Sequence, residues 1–562
     1  MGYEVLSPWA EVDTAKPRAL QPRVGDLNGK TIGMYAHFKD VCVGVLQEIE
    51  AKLKPKYPKA RFKYYQYPID TAEVINDEKY KGSFQEWLNG VDCVITSMGD
   101  AGSCTLYLAY NTANIENLGK PAVMLLYEEF MNQFKRGSSS RGVPGLRNVP
   151  VKEKPNDVGG IANLSTEIID GIIKGLTTPL TEEEKNPNCE VKETKRIIFK
   201  GDIQEVNDFF YMSGWTNGTP IIPPTEEAVK RMLEGTDLPP DYLVATIPPM
   251  GGKATVEKIA VNAVMAGCLP IYMPILIAAV KGMVDPKIHL EGWTCSAGSW
   301  APLIIISGKL GGQLKFNTGL NLMSPYFKPS STIAHAFALM IMNIGGTRPG
   351  LEDACISGHE NKFGICIAED QANPWGPLHT DYGIDKDDSA VTLFWPAEHQ
   401  GSFTLSNLAR KSPFATDVES ILSRMFAVTY IGFFGGAAYI MDVNTAQILL
   451  DAGFTRKDVI NYIVEYCRHP ASESPLSWMK SNHHYPTIIN EGKLKLPESP
   501  DHSTRVFFDN EHLLIAVTGA NAGVFAGGGD HGGPSCTKID LPRKWKDLLK
   551  KYDKIEPTYA QY

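Results

Sequence analysis

The sequence predicts an α/β protein with an N-terminal parallel sheet, followed by a larger mixed α/β domain. Three observations support this fold class. Apolar runs typical of buried strands alternate with amphipathic helical patterns from residue 30 to about residue 180. One of these runs leads directly into a glycine turn and then a helix, as parallel sheets require. A polar, proline-punctuated stretch at 177–194 then separates this region from a longer one that is rich in glycine.

The elements of the first region follow from their apolar patterns in chain order. Alternation of strands with helices implies right-handed crossovers, so the predicted sheet is of flavodoxin-like or Rossmann-like type. The turn-rich stretch 137–145 predicts a loop. The predicted strands are 30–36, 61–67, 93–97 and 122–126, and the predicted helices are 41–53, 84–88, 105–118 and 161–176.

The chain divides into three segments at the polar stretch and at the first strand. Residues 1–24 form an N-terminal arm, residues 25–195 form the parallel-sheet domain, and residues 196–562 form the large mixed α/β domain. The uncharged run from Met425 to Met441 carries polar and glycine residues, so it predicts a buried core segment rather than a membrane span.

Composition favours a small-molecule ligand. The chain has 55 Lys and Arg against 64 Asp and Glu, a net charge of -9, which argues against nucleic acids and anionic membranes as partners. Its 10 cysteines lack paired spacing, so reduced thiols in a cytoplasm are expected, and the N-terminus has no secretory pattern. We expect a homo-oligomer.

The turn Met98–Thr105 is the first candidate for chemistry. It follows a strand and opens a helix, at the sheet edge where ligands of parallel sheets bind. A thiol at Cys104 would feel the helix dipole and unpaired backbone N–H groups, which favour the thiolate. Gly102, Ser103 and Thr105 would contact the substrate. The alternative is that Cys104 is a small packing residue between helix and sheet.

The segment from Val91 to Phe130, with its Gly-Asp-Ala-Gly-Ser-Cys-Thr turn, resembles the UGSC family. In this motif the family is similar to the selenoprotein component of glycine reductase, and the resemblance implies selenol or thiol chemistry at carbon–heteroatom bonds. The first redox position of the family falls on Ala101, so a disulfide or selenylsulfide cycle within the turn is impossible. Cys104 would act as a lone thiolate, or it would need a resolving thiol from elsewhere.

Two glycine-rich segments of the second domain are candidate ligand sites. Gly251, Gly252 and Lys253 precede a helical pattern and predict an anion nest at a helix N-terminus, although an ordinary turn with Lys253 in solvent has the same sequence features. The loop 518–537 follows a buried strand, and its Asp530 and His531 are candidates for orienting and transferring a proton. A mobile surface loop would have the same composition.

The densest group of titratable side chains lies between Glu352 and Asp381. His359 is the proton-transfer candidate there because imidazole titrates near neutral pH, and Glu369 is a candidate substrate contact. A metal site built from His359, Glu360, Glu369 and His379 matches no ligand spacing, so no metal is predicted.

These patterns together predict an enzyme that acts on a carbon–sulfur, carbon–nitrogen or carbon–oxygen bond of a small anionic organic substrate. Cys104 would be the nucleophile or proton carrier, which makes the enzyme a lyase or an oxidoreductase. A non-catalytic anion-binding or accessory subunit is the first alternative. A flavin- or nucleotide-binding oxidoreductase is the second, although the sequence implies no particular cofactor.

Overall fold

The computed structural model describes residues 2–13, 15–69, 71–152, 164–188, 195–358, 360–403, 421–422, 425, 436–470, 503–505, 509–519, 523–528 and 533–555. Its strands are β1 (Tyr3–Leu6), β2 (Thr31–Ala36), β3 (Arg61–Gln66), β4 (Cys93–Gly99), β5 (Ala122–Tyr127), β6 (Arg147–Val151), β7 (Ile197–Gly201), β8 (Leu243–Ile247), β9 (Gly252–Thr255), β10 (Leu303–Gly308), β11 (Ile365–Ala368), β12 (Ser389–Phe394), β13 (Pro396–Phe403), β14 (Gly436–Met441), β15 (Arg468–Pro470), β16 (Ser503–Arg505), β17 (Leu513–Val517), β18 (Gly523–Gly528) and β19 (Ser535–Lys538).

The helices are α1 (Asp40–Leu53), α2 (Lys81–Asn89), α3 (Gly102–Asn117), α4 (Met131–Ser140), α5 (Thr166–Thr177), α6 (Glu182–Lys185), α7 (Ile203–Met212), α8 (Glu226–Leu233), α9 (Val256–Met265), α10 (Met273–Met283), α11 (Leu290–Cys295), α12 (Leu310–Gln313), α13 (Lys328–Asn343), α14 (Val443–Asp451), α15 (Arg456–Tyr466) and α16 (Trp545–Tyr552).

The first region forms a five-stranded parallel sheet in the order β3-β2-β4-β5-β6. Counted within the sheet, this is the order 2-1-3-4-5 of flavodoxin-like folds, so the predicted fold class is confirmed. From β2 the chain first goes to β3 on one side and then to β4 on the other, so the strand order reverses between β2 and β4. Ligands of such sheets bind at this switch point, outside the carboxyl ends of the strands.

Side chains of the sheet alternate between two apolar cores. On one face, Ile95 and Leu125 pack with α1 and α5, and on the other, Val94 and Met124 pack with α2, α3 and α4. This period-two burial explains why the strands read as continuous apolar runs. The predicted strands and helices all occur, with shifts of a few residues at their ends, and α5 starts at Thr166.

The predicted loop at 137–145 is wrong in its first half, because residues up to Ser140 belong to α4. Gly137 lets α4 approach α3 closely, since a Cβ there would lie 2.8 Å from both the Ala109 Cβ and the Leu106 carbonyl oxygen. The Ser140 hydroxyl donates to the Gly137 carbonyl at 2.9 Å, so this polar group has its partner within the helix. Packing against α3 therefore overrides the turn composition.

The second region is a four-layer sandwich. Its two four-stranded sheets, β11-β10-β12-β19 and β13-β18-β14-β17, share a core made by Leu303, Ile305, Ile440 and Ala516. The outer face of the first sheet is covered by helices that include α9, α10 and α13, and that of the second by α14 and α15. This arrangement agrees with the predicted mixed α/β domain. The part of the run Met425–Met441 that forms β14 is buried.

The N-terminal arm joins the two regions. Strand β1 pairs antiparallel with β7, and Val5 and Leu6 belong to the core of the second region. Further along the arm, Arg23 donates to the Glu116 carboxylate of α3 at 2.6 Å, and both side chains are buried. The arm therefore packs on both regions.

Helices α3 and α4 contact the second region directly. Tyr107 donates to the Glu291 carboxylate of α11 at 3.1 Å, and Tyr110 donates to the other oxygen of the same carboxylate. Gln133 of α4 donates to the carbonyls of Leu351 and Glu352 at 2.9 and 3.0 Å. We call this contact between α3–α4 and residues 291–295 and 351–355 the junction.

Within the described ranges, no helix combines the length and the apolar character that crossing a bilayer requires.

Candidate functional site

The switch point of the parallel sheet is occupied by the loops after β2 and β4. Lys39 follows β2 and Asp100 follows β4, and the Lys39 ammonium donates to both Asp100 oxygens at 2.7 and 2.8 Å. Lys39 is only 4% exposed, whereas Asp100 is partly open to solvent. The neighbouring strands β2 and β4 therefore bring a buried ion pair to the edge where a ligand would bind.

Cys104 lies in the first turn of α3, as the sequence predicts. No side chain caps this 16-residue helix, whose N-cap is Ala101. The first N–H groups of a helix have no intrahelical partner, so those of Gly102 and Ser103 are available to an anion. Cys104 itself is 4% exposed.

Lys39 interacts electrostatically with Cys104. Burial alone would lower the pKa of Lys39, but the negative charges of Cys104, when ionised, and of Asp100 raise this pKa above its usual range. Lys39 is therefore an ammonium at any physiological pH. It supplies a fixed positive charge beside the sulfur rather than a base.

The turn that carries Cys104 packs closely against the second region. A Cβ built on Gly102 would lie 1.7 Å from the Cys295 carbonyl oxygen and 2.7 Å from the Ala354 Cβ. Ser103 and Thr105 are also buried. The hydroxyls of Thr105 and of Ser97, at the end of β4, have no hydrogen-bond partner among the described residues.

The other predicted site residues lie elsewhere. Gly251 and Gly252 belong to the β8–β9 hairpin, and α9 begins only at Val256. The Lys253 N–H donates to the Glu11 carbonyl at 2.8 Å, and its ammonium pairs with Asp13 at 2.6 Å. The structure therefore places these residues against the N-terminal arm, away from a helix N-terminus.

The cluster between Glu352 and Asp381 separates into ion pairs and buried groups. Glu352 pairs with Arg348, Asp353 with Lys362, and Asp381 with Arg456. His379 is buried between Ser307 and the Asp385 carbonyl. Over the residues that the structure describes, no group of three or more His, Cys, Asp or Glu is arranged to hold a metal ion. His359, Asp530 and His531 lie outside the described residues.

Glu369 is fully enclosed at the end of β11. Its carboxylate accepts from the N–H groups of Leu378 and Val517 at 2.6 and 3.3 Å and from the Asn373 amide at 3.0 Å, and it lies 3.9 Å from Arg456. Burial raises the pKa of Glu369 to about 7, although Arg456 and the N–H groups oppose the shift. The side chain connects three segments of the second region.

Sequence reasoning missed Lys39 and gave Asp100 no role. Asp100 directly follows the predicted strand β4, which is the signal that would have marked it, whereas Lys39 lies three residues beyond the end of β2.

We expect Gly102→Ala to destabilise the protein by about 3 kcal/mol, because the added methyl overlaps the Cys295 carbonyl and overpacking costs this much. Gly82→Ala in α2 is the matched control, since no atom lies within 4 Å of its Cβ position, and it should be neutral or stabilising by about 0.5 kcal/mol. Chemical denaturation measures both variants. Equal stability of Gly102→Ala and the unsubstituted protein would contradict the close approach.

Glu369 predicts a pH dependence of stability. Between its ordinary pKa of 4.5 and its folded value of about 7, the folded protein holds a proton that the unfolded chain releases. The free energy of unfolding should therefore fall as pH rises through this window, by about 3 kcal/mol from this group. Glu369→Gln should remove that slope, measured by denaturation between these pH values. Glu182→Gln, whose side chain is 80% exposed, should keep the slope; an unchanged slope in Glu369→Gln would refute the assignment.

Comparison with known proteins identifies the first region. The model of the UGSC family matches residues 4–178, from β1 to the end of α5, and this range includes the whole parallel sheet and Cys104. No curated protein and no solved structure matches the chain. Residues 4–178 of the chain thus belong to the UGSC family.

Proposed function

We propose that the protein is a thiol-dependent enzyme that cleaves a carbon–heteroatom bond of a small anionic organic substrate, with Cys104 as the reacting thiolate. The heteroatom is sulfur, nitrogen or oxygen. The observation that carries this proposal is the meeting of Cys104, in an uncapped helix turn, with the buried Lys39–Asp100 pair at the switch point of the sheet.

Charge at this edge favours an anion. The Lys39 ammonium and the first N–H groups of α3 are fixed positive groups, and each lowers the free energy of a nearby thiolate or carboxylate. Asp100 shares the charge of Lys39 and holds its side chain in place. The proposed arrangement binds a carboxylate at the N–H groups of Gly102 and Ser103, next to the sulfur.

A redox-neutral reaction suits the single thiol. Ala101 removes the partner thiol from the turn, and Cys42 is the other cysteine that interacts with Lys39. Burial, together with the charge of Asp100, raises the pKa of Cys42 to about 12, so Cys42 remains a protonated thiol at neutral pH. A thiol in this state is a poor resolving group. We therefore favour a lyase over an oxidoreductase.

In the proposed elimination, the Cys104 thiolate removes a proton from the carbon next to the carboxylate. The C–H electron pair forms a carbon–carbon double bond, and the carbon–heteroatom bond breaks with its pair on the leaving group. That group takes a proton from an acid, for which His359 and His531 are the sequence candidates. The thiol then returns its proton to the same imidazole, so atoms and electrons balance without an oxidant.

Selective alkylation tests the thiolate and its anion preference. Iodoacetate and iodoacetamide differ in charge, so their rate ratio at Cys104, compared with the ratio for N-acetylcysteine, reports attraction of an anion. We expect this relative ratio to exceed one and to fall about tenfold in Lys39→Met, which corresponds to about 1.4 kcal/mol of lost charge interaction. Peptide mass spectrometry measures labelling at Cys104.

Lys39→Met also leaves Asp100 without its partner. The double variant Lys39→Met/Asp100→Asn separates these effects, because it removes the cation without leaving a lone carboxylate. We expect the relative iodoacetate-to-iodoacetamide ratio of the double variant to lie between that of Lys39→Met and that of the unsubstituted protein. If Cys104 reacts with neither reagent until the protein is unfolded, the sulfur is sealed and the proposed role is lost.

Turnover of a panel of small carboxylates with a sulfur, nitrogen or oxygen leaving group tests the reaction itself. We expect Cys104→Ala to abolish turnover of any substrate found while changing its affinity by less than about tenfold, or about 1.4 kcal/mol. The low exposure of Cys104 favours one alternative, a non-catalytic anion-binding subunit. Binding of panel members without turnover in the unsubstituted protein would support that alternative.

A further inference from the structure

The second region contains a cavity of about 470 Å³ that the proposed thiol chemistry does not use. This volume lies within the range of small-molecule sites. Cys104 is not among the residues that form its wall, although Thr294 and Asp353 are wall residues next to Cys295 and Ala354 of the junction. The wall is formed by Tyr211, Thr216, Asn217, Gly218, Trp293, Thr294, Trp300, Pro302, Ala338, Ile341, Met342, Thr347, Pro349, Asp353, Lys362, Phe363 and Trp395.

Five aromatic residues form part of this wall. Trp293 and Trp300 lie with their ring centroids 4.2 Å apart, and Trp395 packs on Phe337 behind it. Phe363 and Tyr211 are exposed. Indole and phenyl faces bind flat rings by stacking or edge contacts, which favours an aromatic ligand over an aliphatic one of equal size.

Hydrogen-bond donors in the wall are unused. The Trp293 indole Nε1, the Thr347 hydroxyl and the Asn217 Nδ2 are buried atoms with no hydrogen-bond partner in the described ranges. Trp293 is 8% exposed and Thr347 is 7% exposed. A buried donor without a partner costs free energy, so a ligand that brought an acceptor within reach of these atoms would be stabilised.

The Asn217 amide is oriented by its neighbours. Its Oδ1 accepts from the Thr219 hydroxyl at 2.9 Å and lies 3.1 Å from His335 Nε2. The amide oxygen is therefore engaged, and Nδ2 remains as a donor. Burial lowers the pKa of His335, so its ring is neutral and donates to that oxygen from Nε2.

Lys362 places an ammonium group on the same wall, paired with the Asp353 carboxylate. Its ammonium donates to the Asp353 carboxylate, which also accepts from the Cys355 N–H at 3.1 Å. Two of the three ammonium protons remain for other acceptors. Asp353 is thus satisfied within the protein, and the unused polar groups on this wall are donors.

We propose that this cavity is a binding site for a flat aromatic carboxylate, whose ring lies among Trp293, Trp300 and Trp395 and whose oxygens accept from Trp293, Asn217 and Lys362. The site is separate from Cys104, and it does not depend on the proposed elimination. The aromatic side chains of the wall favour a ring, and the remaining ammonium protons of Lys362 favour carboxylate oxygens.

Isothermal titration calorimetry on the full chain tests the site with 2-naphthoate as probe. Cyclohexanecarboxylate keeps the charge without the aromatic ring, and 2-naphthalenemethanol keeps the ring without the charge. We expect 2-naphthoate to bind at least about tenfold more tightly than either. Equal affinity for the three compounds, or no binding of 2-naphthoate, would overturn the proposal.

Two variants locate the binding. Trp293→Phe keeps a ring but removes the unused N–H, and it should weaken 2-naphthoate binding about three- to tenfold. Asn217→Asp replaces a donor with a negative acceptor near the surface and should weaken binding more. Trp545→Phe is the matched control, because its indole already donates to Gln313 at 3.2 Å, and its affinity should not change.

Thermal unfolding monitors the fold of each variant. If Trp293→Phe fails to fold, Asn217→Asp alone decides the outcome. Affinities that match the unsubstituted protein in both cavity variants would place the probe elsewhere and refute the site. Binding heat is the only readout, so the result stands whether or not Cys104 turns over a substrate.

Discussion

The close approach between Gly102 and the Cys295 carbonyl is the constraint on which the candidate site depends. Only a residue without a side chain fits there. This contact seats the first turn of α3 on the second region, while Glu291 and Gln133 add polar contacts around it. The edge of a parallel sheet is normally open to solvent. Here a separate part of the chain covers it, so the thiol sits in a partly closed, low-dielectric space, where charges act over longer distances.

The order of the strands determines which charged side chains lie in that space. Reversal between β2 and β4 brings Lys39 and Asp100 together although they are 61 residues apart. Each group alone would be costly to bury, and together they satisfy most of their hydrogen-bonding capacity. Two hydrogen bonds to Asp100 hold the Lys39 ammonium in place. Cys42 shares this neighbourhood, and its burial keeps it a protonated thiol at neutral pH.

Much of the first region was predictable because the inner strands β2, β4 and β5 are buried on both faces and read as apolar runs. The edge strand β3 is largely exposed and is marked by its alternating aromatic residues instead. The position of Cys104 in a helix turn followed from the same pattern. Lys39 was missed because no local motif marks it, and its significance depends on strand order. Lys253 and Glu369 likewise have partners that the local sequence does not reveal. Their local sequences suggest ligand contacts, but Asp13 and Val517, which engage them, come from distant segments. The wall of the aromatic cavity likewise combines residues from five or more separate stretches of the chain. The hydrophobic periodicity of a sequence does not predict that such distant stretches meet.

The pairing of β1 with β7 affects the order in which parts of the chain can fold during synthesis. Its partner β7 begins at Ile197, so Tyr3–Leu6 leave the ribosome long before their pairing strand exists. The parallel sheet, complete by Val151, has all its strands earlier, and domains fold as units during synthesis. Tyr3–Leu6 is thus synthesised before the parallel sheet but can pair only after that sheet is complete.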